Sequence, residues 1–292
     1  MSNLPVQALS GNILQYLVNI HPEYLNELND EITYQGLNRT ISYNSSKQPI
    51  RNIAEISEDR HITIYENYIA FLWCLSFAII TFHKELEGDI DIHTNSKLQN
   101  AISLLHYAYS LKEDWNNWPS HLPNPTLVKD NYVGEANAIT VFSVGYILVH
   151  EIGHHTLGHD LSSASLDIEE ARQEEFSADK YAFDTLIKGY EQQNISKNHS
   201  INFAIIVGIS SILLLEHTWD GGDTHPDTDE RLQKTLQYLE DSNGGNEEYW
   251  KLGLHTLLLW NVVYRNEHYN PSGNGSAKAD FKAFVKYLKE RQ

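Results

Sequence analysis

Apolar residues recur at helical spacing along most of this chain, and the period decides most of the fold. Together with the breakers between segments, it predicts helices near 10–28, 61–86, 95–112, 137–158, 165–189, 199–217, 227–241, 246–266 and 277–290. Gly221-Gly222 and Gly244-Gly245 mark breaks, and 268–276 (HYNPSGNGS) reads as a loop. Between Trp115 and Pro125, three prolines forbid a helix and predict a surface loop or cleft rim. β-Branched and aromatic residues cluster in Ile32-Thr33-Tyr34 and in 39–43 (RTISY), around a Gln35-Gly36-Leu37-Asn38 turn; this predicts a short hairpin. The expected fold is mainly α (α+β). Residues 1–60 form a mixed segment with a small β element, packed on a helical domain of 61–292.

Two stretches, 69–82 and 201–215, are uncharged and mostly apolar. Both fall short of the roughly 18–20 residues that cross a bilayer, and Glu66, Lys84 and Glu216 bracket them. They read as buried core helices, and membrane association is not expected. The N-terminus has no positively charged start followed by a continuous apolar run, so no signal peptide is expected and the location read from the sequence is cytoplasmic.

Composition narrows the function classes. At 41% hydrophobic residues, the chain can bury a core. Its 21 basic residues are scattered among 39 acidic ones, for a net charge of −18, which argues against nucleic acid as a partner. The single cysteine, Cys74, excludes an intramolecular disulfide and any multi-cysteine metal site. Lying in an apolar run, it reads as an inert buried thiol in a reducing compartment.

One segment carries chemistry: His150-Glu151-Ile152-Gly153-His154, at the end of the apolar run 139–149. On a helix, residues four apart lie about 40° apart around the axis and one turn along it, so both imidazoles can converge on one Zn²⁺. Glu151, rotated by about 100°, reaches a water on the metal rather than the metal itself. Zinc lowers that water's pKa, and the carboxylate takes its proton and later delivers one to the leaving amine. The apolar run before the motif would bury the helix and hold the ligands rigidly.

A catalytic zinc needs a third protein ligand. Glu175 and Asp179 are four apart on a predicted helix, so they share a face. Glu175 can complete a His₂Glu set, and Asp179 can accept the remaining ring N–H of a ligating histidine. In so acidic a chain such a pair is ordinarily a solvated face; its place about twenty residues after HExxH favours the ligand reading. Glu174 competes with Glu175 but faces away from Asp179.

His150-Glu151-x-x-His154, Glu175-Phe176-x-Ala178-Asp179 and Thr224-His225-Pro226…Arg231-Leu232 together resemble the gluzincin pattern of the M48 (Ste24/HtpX-like) metallopeptidases. In length, composition and motif placement, the chain is also similar to the peptidase U49 family, whose type member is a phage-exclusion protein. The likeness spans 145–232. It implies a zincin-like helical metallopeptidase domain with one Zn²⁺ per chain on His150, His154 and Glu175, and Glu151 as base. It also implies a protein or peptide substrate and, through U49, a role in anti-phage defence. Constitutive proteolysis inside a cell is dangerous, which argues for an activating or inhibiting partner.

Other candidates weigh less. A metzincin pattern would need glycine at 157 and histidine at 160, where Leu157 and Asp160 stand. If the helix continues past His154, His155 and His159 rotate off the ligand face and read as structural or surface residues, with a contact to a ligand left open for His159. His225 and Arg231 follow the Gly221-Gly222 break. They read either as part of a helix start capped by Asp227 or Thr228, or as donors to the oxyanion of the tetrahedral intermediate, or as braces for Asp179 and Glu175. Trp115, Trp118 and His121 read first as packing anchors, second as a cleft wall. His61, His83, His93 and His106 read as ordinary histidines. Two rival functions keep the fold: a non-catalytic zinc-binding interaction protein, against which the intact Glu151 argues, and a membrane-associated protease using 69–82 and 201–215.

Overall fold

A computed structural model describes residues 4–20, 42–44, 47–51, 53–56, 62–85, 95–159, 168–192, 199–216, 226–265, 267, 269 and 275–291. It is mainly helical. After a 3₁₀ turn at Pro5–Leu9, the helices are α1 (Ser10–Ile20), α2 (Glu66–Glu85), α3 (Ser96–Glu113), α4 (Asn131–Thr156), α5 (Ile168–Gln192), α6 (His199–Glu216), α7 (Thr228–Ser242), α8 (Glu248–Trp260) and α9 (Ala277–Lys289). A π-helical turn, Asn261–Arg265, continues α8.

Three short strands, β1 (Ser42–Asn44), β2 (Ala54–Ile56) and β3 (Ile62–Tyr65), form a sheet of order β1-β3-β2. β1 runs parallel to β3 with Ser42 opposite Thr63; β2 runs antiparallel with Ala54 opposite Ile64. Two expectations change here. Residues 62–65 are strand rather than helix, because the β-branched Ile-Thr-Ile-Tyr run has a ladder partner on each side. The end of the predicted hairpin's second arm is β1, which pairs in parallel with β3; the other arm and the turn lie outside the described residues.

α4 is the central helix. It packs against α2, α5 and α6, with α1 across its middle. It begins earlier than the apolar period predicts because the Asp130 carboxylate accepts a hydrogen bond from Tyr132 N at 2.8 Å and caps it. Its buried hydroxyls are satisfied: Ser143 donates to Ala204 O on α6 at 2.7 Å, and Thr140 to Ala136 O at 2.7 Å. The apolar residues form one cluster that runs from Leu4 to Leu288.

By length and composition α2 and α4 could each cross a membrane, yet α2's apolar stretch is wholly buried among the other helices and most of α4's is too. The proline-rich loop is pinned to this core. Trp118 packs edge-on to Trp73 (5.4 Å) and Tyr107 (5.1 Å), and Asn137 joins the Trp73 indole N–H at 2.6 Å to Pro125 O at 2.9 Å. Asp227 stands at the N-cap of α7, but its carboxylate faces Lys289 of α9 at 3.4 Å rather than the helix amides.

Candidate metal centre

His150 and His154 sit on the last turns of α4, on the face turned toward α5. A close approach of the two helices brings their partners within reach. At Gly153 a side-chain Cβ would lie 3.4 Å from the backbone Cα and O of Ala178 and 3.0 Å from the Tyr181 ring. The glycine in HExxH and the alanine between Glu175 and Asp179 therefore let the backbones meet.

The structure brings three donor groups together. His150 Nε2 and His154 Nε2 are 3.2 Å apart, Glu175 Oε1 is 3.3 Å from His154 Nε2, and Glu175 Oε2 is 3.5 Å from His150 Nε2. All three residues are buried and could hold one metal ion. The spacing tests the fit. Zinc binds nitrogen and oxygen at about 2.0–2.1 Å, and a tetrahedron of that radius has edges of about 3.3–3.4 Å. The three groups already stand at those separations. Glu174, the competing carboxylate, is not among them.

Behind the donors lies a buried ionic network. Asp179 Oδ1 is 3.0 Å from His150 Nδ1. Arg231, on α7, forks onto Asp179 (Nε to Oδ2 2.8 Å, Nη2 to Oδ1 2.7 Å) and reaches Glu175 Oε2 with Nη1 at 3.2 Å. The Tyr146 hydroxyl donates to Asp179 Oδ1 at 3.1 Å. Of the two functional roles open to Arg231 from its position, this geometry is bracing: its three guanidinium nitrogens face carboxylates and it is 5% exposed. His225 lies outside the described residues.

The charges are strongly coupled. Burial pushes the Glu175 carboxyl up, but His150, His154 and Arg231 outweigh it and hold the group far below the usual carboxylate range. Asp179 is likewise held low by Arg231 and His150 against its burial. Burial pulls the His150 imidazole down, yet Asp179 and Glu175 raise it to about 10. Two carboxylates against one guanidinium leave one unit of negative charge, which a proton or a cation must offset.

Glu151 is rotated off the ligand face and partly exposed. Its charge helps raise the Tyr68 phenol, whose shift comes first from burial and is opposed by the Ser211 hydrogen bond.

Sequence reasoning missed one neighbour, Tyr146, and favoured a structural or surface place for a second, His159, while leaving its contact to a ligand open. Tyr146 is four residues before His150, in the same i, i+4 stripe, so the spacing could have found it. His159 was placed off the ligand face by continuing the helix, but α4 stops. Gly158 takes φ +72°, its N–H reaches His155 O at 3.2 Å, and His159 N reaches His154 O at 3.0 Å. This left-handed cap reverses the chain and sets the His159 ring beside His154, with the two Nδ1 atoms 2.9 Å apart. The signal was the glycine itself.

The chain is 23% identical over 248 residues to a protein of Escherichia coli (strain K12) named cell death peptidase, covering 83% of this chain and 80% of that one. No solved structure matches. The sequence profile of peptidase U49 matches residues 62–252, which contain the three donors, the Glu151 carboxylate and the bracing arginine, and the chain is a peptidase of the U49 family.

Proposed function

We propose that this peptidase is a zinc-dependent endopeptidase whose single metal is held by His150, His154 and Glu175. The observation that carries the reading is the set of three buried donors standing 3.2–3.5 Å apart, at the edges of a tetrahedral site. A Zn²⁺ bound there would polarise the scissile carbonyl and lower the pKa of the attacking water. The remaining roles fall to the chain. Glu151 takes the water's proton and returns one to the leaving amine nitrogen. Asp179 holds His150 with Nδ1 toward its own carboxylate and Nε2 toward His154 and Glu175, where it would serve as a ligand. Arg231 holds Asp179 and Glu175 in place, which leaves His225 as the proposed donor to the oxyanion.

The substrate we infer is a protein of the producing cell. The E. coli relative carries the name cell death peptidase, and proteolysis that kills its own cell is what defence against a spreading phage requires. An enzyme of that kind, working in the cytoplasm, must be held in check, so an activating or inhibiting partner belongs to the proposal. The test combines metal analysis with cleavage. Purified protein should hold one zinc per chain, and Glu151→Gln should keep that zinc while losing about 10²–10⁴ in the rate of cleavage, followed by new protein N-termini across the proteome. A parent without stoichiometric zinc, or a Glu151→Gln variant that cleaves as fast as the parent, sinks the reading.

A further inference from the structure

The two histidines of the centre have unlike supports. His150 faces a carboxylate, whereas His154 Nδ1 faces another imidazole, His159 Nδ1, at 2.9 Å. The other ring nitrogen of His159, Nε2, is 2.9 Å from Ser177 Oγ, and that hydroxyl donates to Glu174 O at 2.9 Å. We propose that His159 and Ser177 are positioning residues that fix the tautomer of His154, through a one-way hydrogen-bond chain anchored on the backbone of α5.

The direction follows from donor and acceptor chemistry. A carbonyl oxygen can only accept, so the one hydroxyl proton of Ser177 goes to Glu174 O. Ser177 Oγ must then accept from His159, which puts the His159 proton on Nε2 and leaves Nδ1 as a bare lone pair. His154 must therefore donate its Nδ1–H, and its own Nε2 is left with a lone pair turned toward His150 Nε2 and Glu175 Oε1. A neutral imidazole ligates through such a lone pair. The chain starts on α4 and ends on the residue next to Glu175, so it also ties the last turn of α4 to the turn of α5 that carries the third donor. Gly158 makes the arrangement: without its left-handed turn the helix would carry residue 159 past His154.

This inference rests on the metal reading proposed above, and the test separates the two. Zn²⁺ affinity is measured by chelator competition for the parent, His159→Ala, His159→Gln and Ser177→Ala, with melting curves recorded without metal as the folding control. Loss of a partner to a ligating histidine weakens metal binding by about 10–100-fold, and His159→Ala should fall in that range. His159→Gln, whose amide can accept from His154 and donate to Ser177, should recover most of the loss, and Ser177→Ala should show a smaller one. In ¹⁵N-labelled, zinc-loaded parent, a scalar coupling across the hydrogen bond should link the two Nδ1 atoms, and it should vanish in His159→Gln. Zinc uptake by the parent with unchanged affinity in His159→Ala, or no coupling in the loaded parent, overturns the positioning chain alone. No zinc uptake by the parent overturns the metal reading and the chain with it.

Discussion

Arg231 is the residue on which the buried charges depend. Its guanidinium contacts both Asp179 and Glu175, and all three side chains are nearly sealed from water. Removing one partner of such a network leaves the others charged without compensation, so Arg231→Ala should destabilise the fold by about 3–5 kcal/mol in denaturant unfolding. Arg231→Lys should recover only part of that, because one ammonium cannot reproduce a fork shared between two carboxylates. A loss in Arg231→Ala no larger than that of an ordinary surface substitution would contradict the bracing role. At this scale the sequence was informative where a role depends on spacing along one helix. His150 with His154, and Glu175 with Asp179, are i, i+4 pairs, and that relation survives in any fold that keeps the helices. Arg231 lies 52 positions from Asp179, and no local rule chooses between a brace and an oxyanion donor at that distance.

Helices meet at the site because small residues let them. Gly153 has the backbone of Ala178 within van der Waals reach of where its Cβ would be. Gly153→Leu should therefore force α4 and α5 apart, with an overpacking cost of about 1–3 kcal/mol. Zinc binding should be lost while far-ultraviolet circular dichroism stays helical; retained affinity would show that the contact does not set the ligand spacing. A second junction is polar. Glu85, at the end of α2, accepts from Asn95 Nδ2 at 2.7 Å, Lys97 Nζ at 3.0 Å and Tyr132 OH at 2.6 Å, joining α2 to the starts of α3 and α4. The Tyr132, Asn95 and Lys97 bonds lower its carboxyl from 4.5 to about 2. A group depressed in the folded state contributes stability above its unfolded pKa and loses it as pH falls through the folded one. Stability measured by urea unfolding should thus decline from about pH 4.5 down to about pH 2, and Glu85→Gln should flatten that decline. An identical slope in the variant would remove Glu85 as a cause.

The helix ends show which elements were legible. α3 and α7 fall within a residue or two of the apolar period. The exceptions have physical reasons: 62–65 form a strand because partners on both sides complete a ladder, and α4 starts early because Asp130 caps it. Pairing partners are not visible to a periodicity argument, which weighs one segment at a time.

For the molecule as a whole, the centre joins three helices, α4, α5 and α7, that the chain visits far apart. A ligand that binds only the folded state stabilises it by mass action, by about 2.7 kcal/mol at one hundred times its Kd. The melting temperature should accordingly rise with free Zn²⁺, reverse with chelator, and stay fixed in His150→Ala or Glu175→Ala. A parent whose melting ignores zinc would argue against a site that spans those helices.

What the sequence determined by itself was the helical character, the HExxH face and the candidates for a third donor, since each of these is a property of spacing within one segment. The tertiary structure decided how the segments relate. It brings Glu175 rather than Glu174 to the histidines, forks Arg231 between two carboxylates, and aligns β1 in parallel with β3. It also turns His159 back onto His154 through Gly158. The division follows from range: a side chain's angle around its own helix is set by residue number, whereas its distance to another helix is set by what packs between them.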